Sequence, residues 1–210
     1  FTKKPKLKAI ENICEFKNIK INKDKNFDKL FMNNKKTIIA VSRLNKVKRV
    51  DILINSLSVI NKMFDAQLII IGDGPEKETL SNLVKKLSLE DNVHFLGFRD
   101  DVIHWIINSD IFVTASEVEG SPNSLIEAVC LGIPSIATDC PTGPKEILNN
   151  GDQGILIPMN SVKHMVDAIQ LLIEDEDLRL KFINSSKITK VRYSSERIAS
   201  LYLDAINSMY

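Results

Sequence analysis

Thr37-Ile38-Ile39-Ala40-Val41, an amphipathic stretch from Asp51 to Met63, and then Gln67-Leu68-Ile69-Ile70-Ile71 set the pattern of this chain. The two short runs are apolar almost throughout, which predicts strands buried on both faces. Between them Ile52, Leu53, Leu57 and Ile60 recur on one stripe of a helix. A strand, a crossover helix and a second strand form the unit from which parallel sheets are built. Gly72-Asp73-Gly74-Pro75 ends the second strand with a strong turn signal.

The alternation continues downstream. Glu76 to Leu87 reads as a helix, Val93-His94-Phe95-Leu96 as a strand, Asp101 to Asn108 as a helix and Ile111-Phe112-Val113-Thr114 as a strand. Asn123 to Leu131 is expected to be helical, Pro134-Ser135-Ile136-Ala137 a strand, Pro144 to Leu148 a short helix and Gly154-Ile155-Leu156-Ile157 a strand. Helices over Ser161 to Glu174, Asp177 to about Lys190 and Ser194 to Asn207 follow. The expected fold is α/β, a doubly wound parallel sheet covered on both faces, with a helical C-terminal tail. Ligands in such folds sit outside the carboxyl ends of the strands. The loops after Val41, Ile71, Leu96, Thr114 and Ala137 are therefore where function is expected.

Residues 1–36 differ from the rest. They are dense in Lys and Asn and carry no sustained helical or strand period, which reads as a linker or the edge of a neighbouring domain. Lys3, Lys4, Lys6 and Lys8 read as a solvated tail ahead of a contact with anionic lipid. A start at Phe1 leads us to expect a piece of a longer protein.

With 28 Lys+Arg against 27 Asp+Glu, the net charge of +1 argues against a dedicated nucleic-acid binder. At 44% hydrophobic and 26% charged, the composition is that of an ordinary globular protein. Cys14, Cys130 and Cys140 offer no even framework and no metal-ligand pairing, so they are expected to be reduced, small core residues or bystanders. No apolar run reaches the ~20 residues of a spanning helix, and no signal-peptide pattern is visible.

Several familiar chemistries are missing. There is no G-x-G-x-x-G after the first strand, no G-x-x-x-x-G-K-[ST] and no G-x-S-x-G. His94, His104 and His164 lack metal-ligand spacing, and Glu174-Asp175-Glu176-Asp177 reads as a solvated helix cap. What remains is concentrated between Ser116 and Ala128. Ser121 suits the N-cap and Pro122 the first helical position. The amides of Asn123, Ser124 and Leu125 would then point out of the helix end as an anion site, with phosphate the natural occupant. Gly120 allows close approach of a ligand to the backbone. Glu127, one turn beyond Asn123, can accept two hydrogen bonds from a vicinal diol such as a ribose. Glu119 lies on the loop before the helix, where it can reach a group beyond the phosphates. From these residues alone, a capped helix with two surface glutamates remains an equal reading. The first loop, Ser42-Arg43-Leu44-Asn45-Lys46-Val47-Lys48-Arg49, brings four cations to the same edge of the sheet. Arg43 and one of Lys46 or Lys48 can balance a diphosphate there.

Glu119-Gly120-Ser121-Pro122-Asn123-Ser124-Leu125-Ile126-Glu127-Ala128, followed by Gly132-Ile133-Pro134-Ser135-Ile136-Ala137-Thr138-Asp139, resembles the signature of the retaining group 1 glycosyltransferases of the family 4 type. Val41-Ser42-Arg43-Leu44 with Lys48 resembles that family's donor-phosphate loop. Ile71-Gly72-Asp73-Gly74-Pro75 resembles its second-strand turn, and Val93-His94-Phe95-Leu96-Gly97-Phe98 the loop that cradles the nucleotide base. The match runs from about Thr37 to Ile157. One departure is Ser42, where the family usually has glycine.

The resemblance implies a Rossmann-like C-terminal half of a two-domain GT-B fold. Residues 37–210 would be the nucleotide-sugar domain, and an N-terminal acceptor-binding domain would be missing. It gives Arg43, Lys48 and Glu119 catalytic roles, the two cations on the donor diphosphate and Glu119 on the transferred sugar. Ser42, Gly97, Phe98, Gly120, Ser121, Pro122, Asn123, Ser124, Leu125 and Glu127 would bind the donor, with Glu127 on the ribose and Gly97 and Phe98 beside the base. The implied donor is a UDP-sugar, with no metal or other cofactor and no nucleic-acid partner. The implied place is the cytoplasm, with room for peripheral association at the inner membrane face through the absent domain. Cys140-Pro141-Thr142-Gly143-Pro144-Lys145-Glu146-Ile147-Leu148 is similar to members that build bacterial surface polysaccharides or lipid-linked oligosaccharides. A non-catalytic sugar-nucleotide-binding module and a GT-B-like nucleotide-sugar epimerase are the rival readings.

Overall fold

Ile38 and Ala40 pack into one apolar cluster while Ile39, between them, packs into another. A strand whose alternate side chains feed two cores must be covered on both faces. The computed structural model describes residues 10–16 and 25–208. Its elements run α1 (Lys25–Phe31), β1 (Lys36–Val41), α2 (Val50–Ile60), β2 (Ala66–Ile71), α3 (Lys77–Lys86), β3 (Val93–Gly97), α4 (Val102–Ile107) and β4 (Ile111–Thr114). Then come α5 (Asn123–Leu131), β5 (Ser135–Thr138), α6 (Pro144–Ile147), β6 (Ile155–Ile157), α7 (Val162–Glu174), α8 (Glu176–Arg192) and α9 (Ser195–Asn207).

The strands form one parallel sheet in the order β3-β2-β1-β4-β5-β6. In β1, Ile38 pairs with Leu68 on one side and with Ile111 on the other. Helices α2, α3 and α7 cover one face. On the other lie α4 and α5, with the fully buried Trp105 between them and α1, and α5 packs on α8. The doubly wound α/β fold expected from the sequence is the one observed, each expected strand and helix within a few residues of its place.

The stretch read as a linker contributes to this domain. Lys25–Phe31 is helical, Leu30 is buried, and the rings of Phe27 and Phe31 lie 5.1 and 5.9 Å from that of Trp105. Seven residues give under two turns of pattern, and so short a helix owes its stability to tertiary packing. Residues 10–16 also lie on the domain: the Cys14 amide donates to the Tyr193 carbonyl at 2.8 Å and Arg192 Nε to Glu11 Oε1 at 2.7 Å. The lysines at 3, 4, 6 and 8 lie outside the described residues. The thiols of Cys14, Cys130 and Cys140 are free, and the latter two are buried. Among the described residues no helix is long and apolar enough to cross a membrane.

The turn after β2 fixes the edge of the sheet where the loops gather. Gly72 has φ +133°, and a Cβ there would stand 1.9 Å from the Ser42 carbonyl oxygen. At Gly74 a Cβ would stand 2.3 Å from the Leu44 carbonyl oxygen. Two backbones pressed this closely leave no room for a side chain. We expect Gly72→Ala to lower stability by at least ~2 kcal/mol, through strain and overpacking together. The midpoint and slope of urea unfolding measure it.

Candidate functional site

The loop after β1 is built from the turn beneath it. Ser42 and Leu44 amides donate to the Ile71 and Asp73 carbonyls, each at 3.0 Å, and the Glu76 amide donates to Leu44 O at 3.0 Å. Leu44 is fully buried, which anchors the loop and leaves its neighbour Arg43 exposed. The Arg43 guanidinium has no partner among the described residues. Ser42 keeps a negative φ, so serine sits here without left-handed strain.

The helix end on the other side of the crevice differs by one residue from the sequence expectation. Pro122, with φ −68° and ψ 104°, is the N-cap of α5, and Ser121 stands outside it with no capping hydrogen bond. Proline's fixed φ suits either position, and the missing N–H is no loss in both. Leu125, expected to present a free amide, donates to the Pro122 carbonyl at 3.1 Å. The amides of Asn123 and Ser124 have no acceptor among the described residues. Ser124 Oγ donates to the Val41 carbonyl at 3.1 Å, which seats the first turn of α5 against the end of β1, two residues before Arg43. Gly120 has open space where a Cβ would stand. Asn12 Nδ2 donates to Asn123 Oδ1 at 2.7 Å, bringing the segment 10–16 to the rim of this helix end.

Lys48 and Glu119, 71 positions apart, meet directly: Nζ lies 2.7 Å from Oε1. Ser116 Oγ donates to the same Oε1 at 2.6 Å, and the Thr142 hydroxyl donates to the Glu119 carbonyl. The fourth cation of the loop, Arg49, is engaged elsewhere, with Asp51 at 3.0 Å and Glu117 at 2.9 Å. Arg49 and Glu117 also line a groove of about 510 Å³, and Glu119 is not part of its lining. Lys46 is exposed. Of the loop's cations, Arg43 and Lys46 have no side-chain partner among the described residues, and Lys48 is paired with Glu119.

Glu127 is half-buried on α5, and no hydrogen bond reaches its carboxylate among the described residues. Burial pushes its pKa above the ordinary value of 4.5. At the end of β3, Gly97 takes φ +67° and the next residue, Phe98, is 86% exposed. An aromatic ring held out in solvent at the ligand edge of the sheet is available for stacking. The His104 ring stacks 4.2 Å from Phe27, His164 Nδ1 lies 2.7 Å from Ser161 Oγ, and His94 Nε2 is buried with no hydrogen-bond partner among the described residues. In the acidic run, Asp175 caps α8 by accepting from the Leu178 amide at 2.8 Å. Among the described residues no group of three or more His, Cys, Asp or Glu is placed to hold a metal ion.

Sequence reasoning did not single out Ser116, Thr114, Thr142 or Asn12 as parts of this edge. For Thr114 and Ser116 the signal is chemical, small hydroxyl residues at the end of a buried strand, and Thr142 and Asn12 carry none.

Residues 22–189 match the family model for glycosyl transferases group 1. The chain belongs to this family. Among relatives in the group, N-acetyl-alpha-D-glucosaminyl L-malate synthase of Bacillus anthracis is 36% identical over 170 residues, 80% of this chain and 44% of that protein. N-acetylgalactosamine-N,N'-diacetylbacillosaminyl-diphospho-undecaprenol 4-alpha-N-acetylgalactosaminyltransferase of Campylobacter jejuni is 30% identical over 164 residues, 78% of this chain and 44% of that one. HepE of Anabaena, solved in complex with UDP, superposes with a TM-score of 0.80 at 25% identity, over 88% of this chain and 52% of that one. Its complex with UDP-glucose gives 0.79 over the same shares. This group 1 chain spans about half the length of the curated relatives it matches.

The unpartnered carboxylate has a measurable signature. With its folded pKa above 4.5, the folded state binds more protons than the unfolded one between 4.5 and the raised value. Ionised Glu127 therefore opposes folding above that window, and stability returns as pH falls through it. We expect Glu127→Gln to raise the thermal midpoint at neutral pH. The gain should shrink towards zero as pH falls below the raised value, which a pH series of melting curves reads directly.

Proposed function

We propose that this chain is the donor-binding half of a retaining, family 4-type group 1 glycosyltransferase with the two-domain GT-B fold. It takes a hexosyl group from a nucleotide-diphosphate sugar, a UDP-sugar, for an acceptor in surface polysaccharide or lipid-linked oligosaccharide synthesis. The observation that carries this reading is Glu127, a half-buried carboxylate left without a partner one turn into a helix whose first amides are also free. Partial burial of an ionised carboxylate costs stability, and hydrogen bonds from a ligand diol offset that cost. The UDP and UDP-glucose complexes of HepE and the N-acetylhexosaminyl transfers named for the relatives support the choice of donor.

In this reading Glu127 accepts from both ribose hydroxyls, and Gly97 and Phe98 flank the base. Ser42, Gly120, Ser121 and Pro122 shape the backbone around the diphosphate, which the Asn123 and Ser124 amides and the Arg43 guanidinium bind. Leu125 contributes through the helix dipole, since its own amide is spent on Pro122. The Lys48 ammonium has three N–H donors, so it can hold Glu119 and a phosphate oxygen together. Glu119 takes hydroxyls of the sugar. As the bond between the anomeric carbon and the diphosphate lengthens, negative charge gathers on the leaving oxygen. Arg43, Lys48 and the helix end already face it with positive potential, which lowers the barrier without rearrangement. These cations do the work a metal would do, and no metal is assigned. The acceptor side, and any contact with the inner membrane face of the cytoplasm, belong to a further N-terminal domain.

Calorimetry on the full chain tests the reading. UDP is expected to bind with the same affinity with and without EDTA. Arg43→Ala should lose about 1.5–3 kcal/mol of UDP binding, the worth of a hydrogen bond between charged groups. Lys46→Ala, further out on the loop, should lose much less. Glu127→Ala should weaken UDP and UDP-sugar alike, whereas Glu119→Ala should weaken the UDP-sugar alone. If both glutamate variants alter only the melting temperature and leave both affinities unchanged, neither carboxylate touches the donor and the reading of this site fails.

A further inference from the structure

The Glu119 carboxylate is gripped by one oxygen. Oε1 accepts from Ser116 Oγ at 2.6 Å and from Lys48 Nζ at 2.7 Å. Oε2 has no protein partner among the described residues, and it is not among their buried, partnerless oxygens, so it reaches solvent. The Glu119 side chain as a whole is only 9% exposed. The carboxylate is thus buried and bound at its back and open at one atom.

Ser116 is fully buried directly behind it. A hydroxyl has one proton, and an ionised carboxylate can only accept, so the Ser116 proton lies on the contact to Oε1. The 3.2 Å contact between Ser116 Oγ and Thr114 Oγ1 must then run the other way, with Thr114 donating. The hydroxyls form a directed relay from Thr114 through Ser116 to Glu119. The backbone on both sides is also held: Thr138 Oγ1 donates to the Ser116 carbonyl at 2.5 Å, and the Thr142 hydroxyl donates to that of Glu119.

We infer that Ser116, oriented by Thr114, is a positioning residue that locks the Glu119 carboxylate with Oε2 turned to the hydroxyls of the transferred sugar. The inference rests on the donor reading above. Two hydrogen bonds on Oε1 stop the carboxylate from rotating, so the ordering entropy of a glutamate side chain is lost on folding and need not be lost again on binding. The nucleotide part of the donor never meets this carboxylate, so the effect belongs to the sugar alone.

The test is a double-mutant cycle on the full chain, with calorimetric affinities for UDP and for a panel of UDP-glucose, UDP-galactose, UDP-N-acetylglucosamine and UDP-N-acetylgalactosamine. Ser116→Ala removes one oxygen atom and should lower affinity for the preferred UDP-sugar roughly tenfold while leaving that for UDP unchanged. In the Glu119→Ala background the same change should have no further effect, because there is nothing left to position. Thr114→Val keeps the side-chain volume and should give a smaller loss in the same direction. It carries the test alone if Ser116→Ala melts before it can be measured. Losses that add independently of Glu119, or that fall equally on UDP, overturn the positioning role. If Glu119→Ala itself leaves the preference for UDP-sugar over UDP untouched, or none of the panel binds, the donor reading fails first.

Discussion

Everything at the ligand edge follows from where β1 sits. Because β1 pairs with β2 on one side and β4 on the other, the chain leaves its two central strands towards opposite faces. The loop after β1 leads to α2 on one face, and the loop after β4 leads to α5 on the other. Helices diverging from neighbouring strands leave a crevice between them that no side chain of the core fills. The hydrogen bond from Ser124 to the Val41 carbonyl spans the floor of that crevice. It seats the first turn of α5 beside the strand that carries Arg43.

The crevice is charged in an ordered way. Arg43 is exposed on one loop, the free amides of Asn123 and Ser124 are on the other side, and Glu119 and Glu127 bracket that helix end from loop and helix. Each acid is kept differently. Glu119 is compensated by a cation and a hydroxyl on one oxygen. Glu127 has no such partner among the described residues, and burial raises its pKa.

The fold was legible because its signals are local. Apolar runs such as Gln67–Ile71 and the turn at Gly72–Pro75 state their own conformation over a few residues. Helix α1 was not legible, since its pattern of Phe27, Leu30 and Phe31 makes sense only once Trp105 is beside it. The cap of α5 was misplaced by one residue because both Ser121 and Pro122 are acceptable at the position. The candidate site was legible in its residue types, the acids and cations of two loops, but not in their pairings. Nothing in the sequence says that Lys48 meets Glu119 across 71 positions, or that one oxygen of that carboxylate is taken and the other left. Such facts depend on side-chain rotamers in the assembled edge, to which spacing along the chain is blind.

The loops after β4 and β5 are fitted backbone to backbone. Gly143 sits at φ +92°, where a Cβ would stand 2.6 Å from the Gly120 carbonyl oxygen, and the Thr142 hydroxyl holds the carbonyl of Glu119. The two segments are one mould in two pieces. An engineer who transplants residues 116–122 from a relative would bring a foreign curve against an unchanged neighbour. The transplant has to carry 139–143 with it, because the shape of the first loop is written partly in the second.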